Sequence, residues 1–405
     1  SERQRRRVWV DALNREDPGC GRWAACATDD SDWESRSPFD PTWARDADGR
    51  VLNGSTWWRY HFDASTLDTA RASLLRLVDA DSVCVNGRFV GTTSYQYPPR
   101  KYTLPAGLLR SDGDNVVSVR LLSYGGTPAF VADKPYGIEQ DDKCLPFDGE
   151  WRFRRGAVMP PLKGETFFVW QPTGLYNSMM APLASCGVRA VVWYQGESNT
   201  GDTRRYAELF PLMVHRWRTL LGGDTIPFVV VQLPEFMAER SYPSESGWAA
   251  MREVQRRASL ELPATGLAVT LGTGEWNDIH PLDKKSVADR VARQLFRLSY
   301  GADEVVSPMI KEARREGETL ILRFDNGGAP LASAASLRGF SVQGKDGRYV
   351  WARVLAVGAD TVTLQLPVDE PRRVRYAWAD NPGKSLLYNE EGLPASPFEI
   401  EISNQ

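Results

Sequence analysis

The sequence predicts an α/β unit preceded and followed by all-β regions, and three observations carry that expectation. Near-continuous apolar runs at GVRAVVWYQ (187–195), PFVVVQL (227–233) and LAVTL (267–271) suit parallel strands covered on both faces. Helical periodicity lies between and after them, and strand–helix–strand alternation argues for a parallel sheet. Short alternating runs with turn signals fill the first third and return after the last helix. The expected domains are 1–145 (β, with its leading linker), 146–302 (α/β) and 303–405 (β).

In the first third, DSVCVNGRFVG (81–91) is the most legible piece, because alternating apolar residues flank Asn86-Gly87, a strong hairpin signal. NVVSVRLLS (115–123) alternates in the same way, and residues from about 20 to about 140 read as a β-sandwich or jelly roll. In the middle, Tyr206, Leu209, Phe210, Met213, Trp217 and Leu220 recur at helical spacing, with Ser198 or Thr203 as rival N-caps. The last helix is expected over 284–299, with Val287, Val291, Leu295 and Leu298 on one face and Gly301 as its stop. Then ETLILRF, YVWARVLAV, DTVTLQLP and RVRYAWA read as strands of a sandwich.

Composition removes several function classes. The 405 residues carry 49 Lys+Arg and 52 Asp+Glu, a net charge of −3, so there is no basic footprint for nucleic acid. No apolar run approaches the ~20 residues of a membrane helix. The opening SERQRRRVWV lacks Met and a signal-peptide apolar region, and reads as a processed or truncated chain. Five cysteines occur without a CxxC or a zinc-like Cys/His spacing, so no metal site is expected. Cys20 and Cys26 could close a small disulfide loop, while Cys84 and Cys186, in apolar runs, are expected to be buried thiols. Asn53-Gly54-Ser55 is a glycosylation triplet of a kind common by chance.

Only three histidines are present, which permits elimination. His61 lies in a β-type run on the face of Trp57 and Arg59, and reads as a sheet histidine. His215 falls opposite the apolar stripe of its helix and should be solvated. His280, in GEWNDIHPLDKK, sits in a loop after the third strand, where α/β sheets place ligands. It is the candidate general base, with Asp278 two residues away; a capping or surface histidine is the alternative. The second candidate is Gln195-Gly196-Glu197-Ser198 at the end of the first strand. There Gly196 permits a sharp exit, Gln195 offers an oxyanion donor and Glu197 a carboxylate; a plain polar loop is the alternative. A third is PTGLYNSMMAPL (172–183), where Asn177 and Ser178 interrupt an apolar stretch; Asn177 or its backbone could line a site, or the segment is a loop feeding a helix.

LYNSMMAPL, VVWYQGESN, WAAMREVQ and NDIHPLDKKSVADRVA, in that order, resemble the sialate O-acetylesterase family, which is similar to serine esterases of the SGNH-hydrolase type. ADSVCVNGRFVG with PPRKYTLPAGLL resembles the β domain this family inserts in its hydrolase domain, and VRYAWADNP with LYNEEGLPASPF resembles its C-terminal β domain. The family's nucleophilic serine lies in a GQSNM-like block on an earlier strand, and no GQSN occurs in this chain.

The resemblance therefore implies an incomplete SGNH-like parallel sheet, with the serine and first strand supplied by an N-terminal segment of the same protein, removed or present as a second chain. A sheet lacking that strand would expose an apolar edge. It implies acyl transfer on O-acetylated sugars, above all sialic acid. His280 would act as base, Glu197 as its carboxylate partner with Asp278 as runner-up, Gln195 with backbone N–H groups as oxyanion hole, and Asn177 and Gly196 as substrate-side residues. Ser198 is a poor substitute nucleophile beside a glutamate. No cofactor is implied, no nucleic-acid or membrane partner is expected, and a secreted, periplasmic or lysosomal setting follows from the resemblance alone. The rival readings are a non-catalytic sugar-binding β protein, which 14 Trp residues would suit, and an acetylxylan-type esterase.

Overall fold

A computed structural model describes residues 2–64, 71–74, 76–111, 113–132, 134–140, 143–164, 171–333 and 337–403. The fold is mixed α/β with several separate sheets. The chain divides into two compact units, residues 1–167 and 168–405.

The first unit opens with helix α1 (Glu2–Glu16), which the sequence does not announce: its surface is arginine-rich and only Trp9 and Leu13 are buried. Two antiparallel sheets follow. Six strands run in the order Glu34–Arg36, Trp151–Val158, Gly54–Asp63, Asp114–Ser123, Ala80–Val85, Arg88–Thr93. Four run in the order Lys143–Pro146, Tyr136–Gln140, Arg71–Leu74, Lys101–Thr103. Trp58, Trp151, Phe153, Val83 and Val117 of the larger sheet share one apolar core with Ala72, Tyr136 and Ile138 of the smaller. The expected hairpin forms between Ala80–Val85 and Arg88–Thr93. Asn86 and Gly87 have φ of 49° and 79°, the two left-handed residues of a type I′ turn.

The far face of the larger sheet is also covered, by polar groups. Arg59 is fully buried and donates from Nε to Asp30 Oδ2 at 2.6 Å. Asp17 accepts from Trp57 Nε1 at 3.1 Å and from Arg120 Nε at 2.7 Å. His61 lies at the end of this face, between Asp30 (Nε2 to Oδ2, 2.9 Å) and Asp114. Its partial burial disfavours the imidazolium, but the two carboxylates outweigh that and raise its pKa. Asn53 is buried and its side-chain oxygen accepts from Ser123 Oγ at 3.0 Å, so the glycosylation triplet is not a surface site.

The second unit contains three parallel strands, β1 (Val191–Trp193), β2 (Phe228–Val231) and β3 (Thr265–Ala268), in that order in the sheet. Between and after them come α2 (Thr203–Leu221), α3 (Gly247–Glu261) and α4 (Lys284–Tyr300). The strands are shorter than their apolar runs. Because β1 begins only at Val191, Cys186 lies in the preceding loop and is exposed, and Cys84 is half-buried; neither is the buried thiol expected. Cys20 and Cys26 are free thiols, not a disulfide. Neither Ser198 nor Thr203 caps α2: Asp202 does, accepting from Arg205 N at 3.2 Å, because a carboxylate also suits the positive end of the helix dipole. His215 is exposed on that helix, as its position opposite the apolar stripe requires. α4 ends at Gly301, left-handed at φ 66°. Its Val287 and Val291 pack on Val229, Val231 and Ala268.

The apolar core of the sheet's other side continues into the C-terminal strands, where Phe228, Val230 and Met251 belong to one cluster with Leu320, Phe340, Val374 and Phe398. The run YVWARVLAV is not one strand. Tyr349–Trp351 pairs with Phe340–Gln343, and Val354–Val357 pairs with Thr361–Gln365 in a different sheet. Among the described residues, no helix is long and apolar enough to cross a membrane.

His61 yields a pH signature. A raised folded pKa means that the imidazolium stabilises the first unit fully below its ordinary value of about 6.5, and that this contribution is lost as pH rises through the folded value. The melting temperature of the parent chain should therefore exceed that of His61→Asn most at about pH 5.5 and converge on it at alkaline pH; a pH-independent difference in thermal melts would contradict the assignment.

Candidate active site

At the carboxyl ends of β1–β3, three chain segments turn away from the sheet, and side chains from two helices set their paths. Gln255 of α3 bridges two of them: its Nε2 donates to Gln195 O at 3.0 Å and its Oε1 accepts from Leu233 N at 3.0 Å. Arg252, one turn earlier and wholly buried, donates to four carbonyl oxygens. These are Leu233 O at 2.7 Å, Pro234 O at 2.7 Å, Ala379 O at 2.7 Å and Asp380 O at 2.9 Å. Burial lowers its pKa to about 10, against the pull of Glu235 and Asp380, so it keeps its charge at neutral pH. Arg290 of α4 performs the same service for the third exit, donating to Val269 O and Leu271 O at 2.9 Å each. Buried cations are tolerated when carbonyls saturate their donors in this way.

Gly196 turns the chain out of the first strand with φ 155° and ψ −20°. A Cβ there would lie 3.1 Å from Gln255 Nε2 and 3.2 Å from Met251 Cγ, so the exit needs glycine for space as well as conformation. Glu197 opens a short 3₁₀ turn, and its Oε2 accepts from Gly196 N at 2.9 Å. The Gln195 amide donates to Asn199 Oδ1 at 2.8 Å. Tyr194, at the rim, has its pKa pushed up to about 12 by burial and by the charges of Glu197 and Glu235. The phenol is thus neutral, and both carboxylates bear on it electrostatically. Glu235, on the second exit, also accepts from Gly272 N at 3.0 Å and so reaches the third.

The third exit carries the remaining candidates. Asp278 is buried, and its Oδ1 accepts from His280 N at 2.9 Å, closing a tight turn that presents His280 on the surface. A few residues on, the Lys284 ammonium lies 5.6 Å from the centre of the Tyr194 ring. The loop that bears His280 therefore leads back to the end of β1. Trp276, half-exposed, is tied to the second exit through its carbonyl, which accepts from Met237 N at 2.8 Å.

Gln195, Gly196 and Glu197 thus share one rim with Asp278 and His280. Asn177 stands differently. It is exposed in a π-helical turn (Tyr176–Met180), with its amide donating to Thr173 Oγ1 at 3.3 Å. Leu175, Tyr176, Met179 and Leu183 around it are exposed too. Val192 of β1 is 46% exposed, and among the described residues no strand pairs with the outer edge of β1. The sequence reading missed Glu235, Tyr194, Arg252 and Arg290. Glu235 follows its apolar run as closely as Glu197 follows its own, and that parallel was the available signal.

Residues 156–295, which include all of these rim groups except Arg252's partners at 379–380, match the sequence family described as carbohydrate esterase, sialic acid-specific acetylesterase. The chain is similar to the sialate O-acetylesterases. It is 27% identical over 369 residues to the enzyme of that name from Rattus norvegicus, covering 77% of this chain and 62% of the relative. It is 29% identical over 270 residues to that from Pongo abelii, covering 57% and 49%. The chain therefore spans between about half and three-fifths of these curated relatives. A crystal structure of a carbohydrate acetylesterase from Xanthomonas citri superposes with a TM-score of 0.53 at 25% identity, covering 86% of this chain and 95% of that one.

Two outcomes test this frame. Arg252→Met strands four carbonyls and should destabilise the chain by about 3–5 kcal/mol in urea unfolding. Gly196→Ala should cost roughly 1–3 kcal/mol and shift the Gln195 and Gln255 amide resonances; unchanged spectra would refute the packing argument.

Proposed function

We propose that this chain is the greater part of a serine esterase that removes O-acetyl groups from sugars, with sialic acid as the preferred sugar. The observation that carries the reading is that the loop bearing His280 returns to the Gln195-Gly196-Glu197 turn at the end of β1, with Lys284 5.6 Å from the Tyr194 ring, within the matched residues 156–295.

The nucleophile comes from polypeptide that adds a strand to the open edge of β1. Exposed Val192 supports this, since parallel strands are normally covered on both faces and a bare apolar edge is a liability that folded proteins cover. Exposed Leu175, Met179 and Leu183 offer the same segment an apolar bed. Its serine attacks the acetyl carbonyl. His280 takes the hydroxyl proton and returns it to the departing sugar oxygen, and water releases acetate from the acyl-enzyme by the same route. Glu197 holds the imidazole in its useful tautomer. Gln195 uses one amide hydrogen on Asn199 and keeps the other for the oxyanion, an interaction worth ~3 kcal/mol per donor. Asp278 orients His280 through the backbone.

The substrate-side expectation for Asn177 rests on its place in the exposed segment beside this rim. Acetylated xylan is the competing substrate, since likeness to a carbohydrate acetylesterase singles out no one sugar.

In the assembled enzyme, Glu197→Gln should lower kcat at least ~100-fold. Asp278→Asn keeps an oxygen for His280 N and should cost far less; the reverse order in hydrolysis of O-acetylated sialic acid would overturn the carboxylate assignment. A fluorophosphonate should label a serine outside residues 1–405. Native material that hydrolyses neither 4-nitrophenyl acetate, nor O-acetylated sialic acid, nor acetylated xylan would favour the sugar-binding alternative.

A further inference from the structure

A cleft of about 660 Å³ lies in the second unit, one loop from the rim, and no step of the proposed reaction uses it. It opens where the chain passes between two C-terminal sheets. Trp351, Ala352, Arg353 and Val354, the residues of that switch, form one wall. The turn Trp378–Ser385 forms a second and the loop Glu239–Tyr242 a third. In the floor, Ala377 holds a left-handed φ of 49°, and its N–H donates to Gly339 O at 2.9 Å. A residue other than glycine keeps that conformation only where its surroundings impose it.

The lining combines two kinds of group. Tyr242 is 60% and Trp351 41% exposed, so both present ring surface to the cleft, and Trp351 is steadied by Nε1 donating to Ser241 O at 3.0 Å. The indole N–H of Trp378 is buried in the wall without an acceptor. Four cations, Arg240, Arg338, Arg353 and Lys384, line the cleft against one carboxylate, Glu239, and none of the four is ion-paired among the described residues. Neighbouring cations on the same sheets are paired: Arg373 with Glu399 and Glu401, Lys345 with Glu370. An unneutralised cationic lining beside open aromatic faces fits a ligand that carries both a carboxylate and an apolar ring face.

We propose that this cleft binds an acidic saccharide. The rings of Tyr242 and Trp351 cover the apolar face of a pyranose, while Arg338, Arg353 and Lys384 take its carboxylate. An acidic peptide would use the cations and leave the aromatic platforms without a partner, and a neutral sugar would do the reverse. The cleft's size falls in the range of small-ligand sites, roughly 300–1,000 Å³. It also lies one loop from the rim. The segment leaving Glu235 donates from Met237 N to Trp276 O on one side, and on the other Met237 O accepts from Asn381 Nδ2 at 2.9 Å. The inference does not rest on the esterase reading, because it concerns binding alone.

Isothermal titration of the chain with 3′-sialyllactose, lactose and a penta-glutamate peptide tests it. Sialyllactose should bind, with lactose and the peptide each at least ~10-fold weaker, and its affinity should fall as salt rises from about 50 to about 500 mM. Trp351→Ala and Arg353→Glu should each weaken it at least ~10-fold, while Trp351→Phe, which keeps a ring, should stay within ~3-fold. Matched thermal melts separate lost binding from lost folding, and Arg353→Glu, on an exposed side chain, keeps the test open should Trp351→Ala unfold. No heat with sialyllactose, equal binding of the peptide, or binding indifferent to both substitutions would overturn the proposal.

Discussion

The carbonyl oxygens at the ends of three short parallel strands are held by Arg252, Gln255 and Arg290, and the rim takes its form from those hydrogen bonds. Strands of three or four residues have little ladder with which to orient the loops that follow them. A guanidinium with five donors in a rigid fork can fasten several carbonyls at once, and a primary amide can hold one donor and one acceptor. Arg252 uses the first property to join the second exit to the turn at 379–380. Gln255 uses the second to tie the first exit to the second. At the opposite end of the sheet, Arg218 of α2 donates to Ile226 O at 2.9 Å and Pro263 O at 2.7 Å, so the entries to β2 and β3 are held by the same chemistry.

Such a frame can concentrate negative charge on one side without collapsing. Glu197 and Glu235 both bear on the partly buried phenol of Tyr194, and the two arginines that feel Glu235, Arg252 and Arg290, spend their donors on backbone carbonyls behind the rim. The carboxylates are thereby left to act on whatever the open side receives. The outer edge of β1 is the contrasting feature: a strand of two valines and a tryptophan that, among the described residues, has a partner on one side only.

Legibility in the sequence followed how local each signal was. The Asn86-Gly87 turn and the Gly301 stop depend on backbone conformations that few residues adopt, and both appear where the residues place them. The α3 helix escaped the apolar-periodicity reading because much of its buried face is polar: Arg252, Glu253, Gln255 and Arg256 are all buried. Two of them, Arg252 and Gln255, hold the strand exits, so the helix least visible as a pattern matters most to the rim. YVWARVLAV misleads for a different reason. Its alternation is continuous, and only the pairing of its two halves with different sheets breaks it at Ala352-Arg353. Glu197 and His280 were legible as candidates because strand ends are where side chains stand clear of the sheet. The pairing of carboxylates was not, since Glu235 becomes significant only once the second exit folds beside the first.

One guanidinium gripping residues 233–234 and 379–380 also constrains how this architecture can vary by insertion and deletion. Neither gripped segment can gain or lose a residue without unseating the other, although nearly 150 positions of chain separate them. Added length would disturb this grip least in the stretch between Met237 and Ser246, whose ends are anchored by Trp276 and Asp380 and whose middle is held by Trp351 on Ser241 O. New specificities can arise by lengthening that stretch while the rim beneath it keeps its shape.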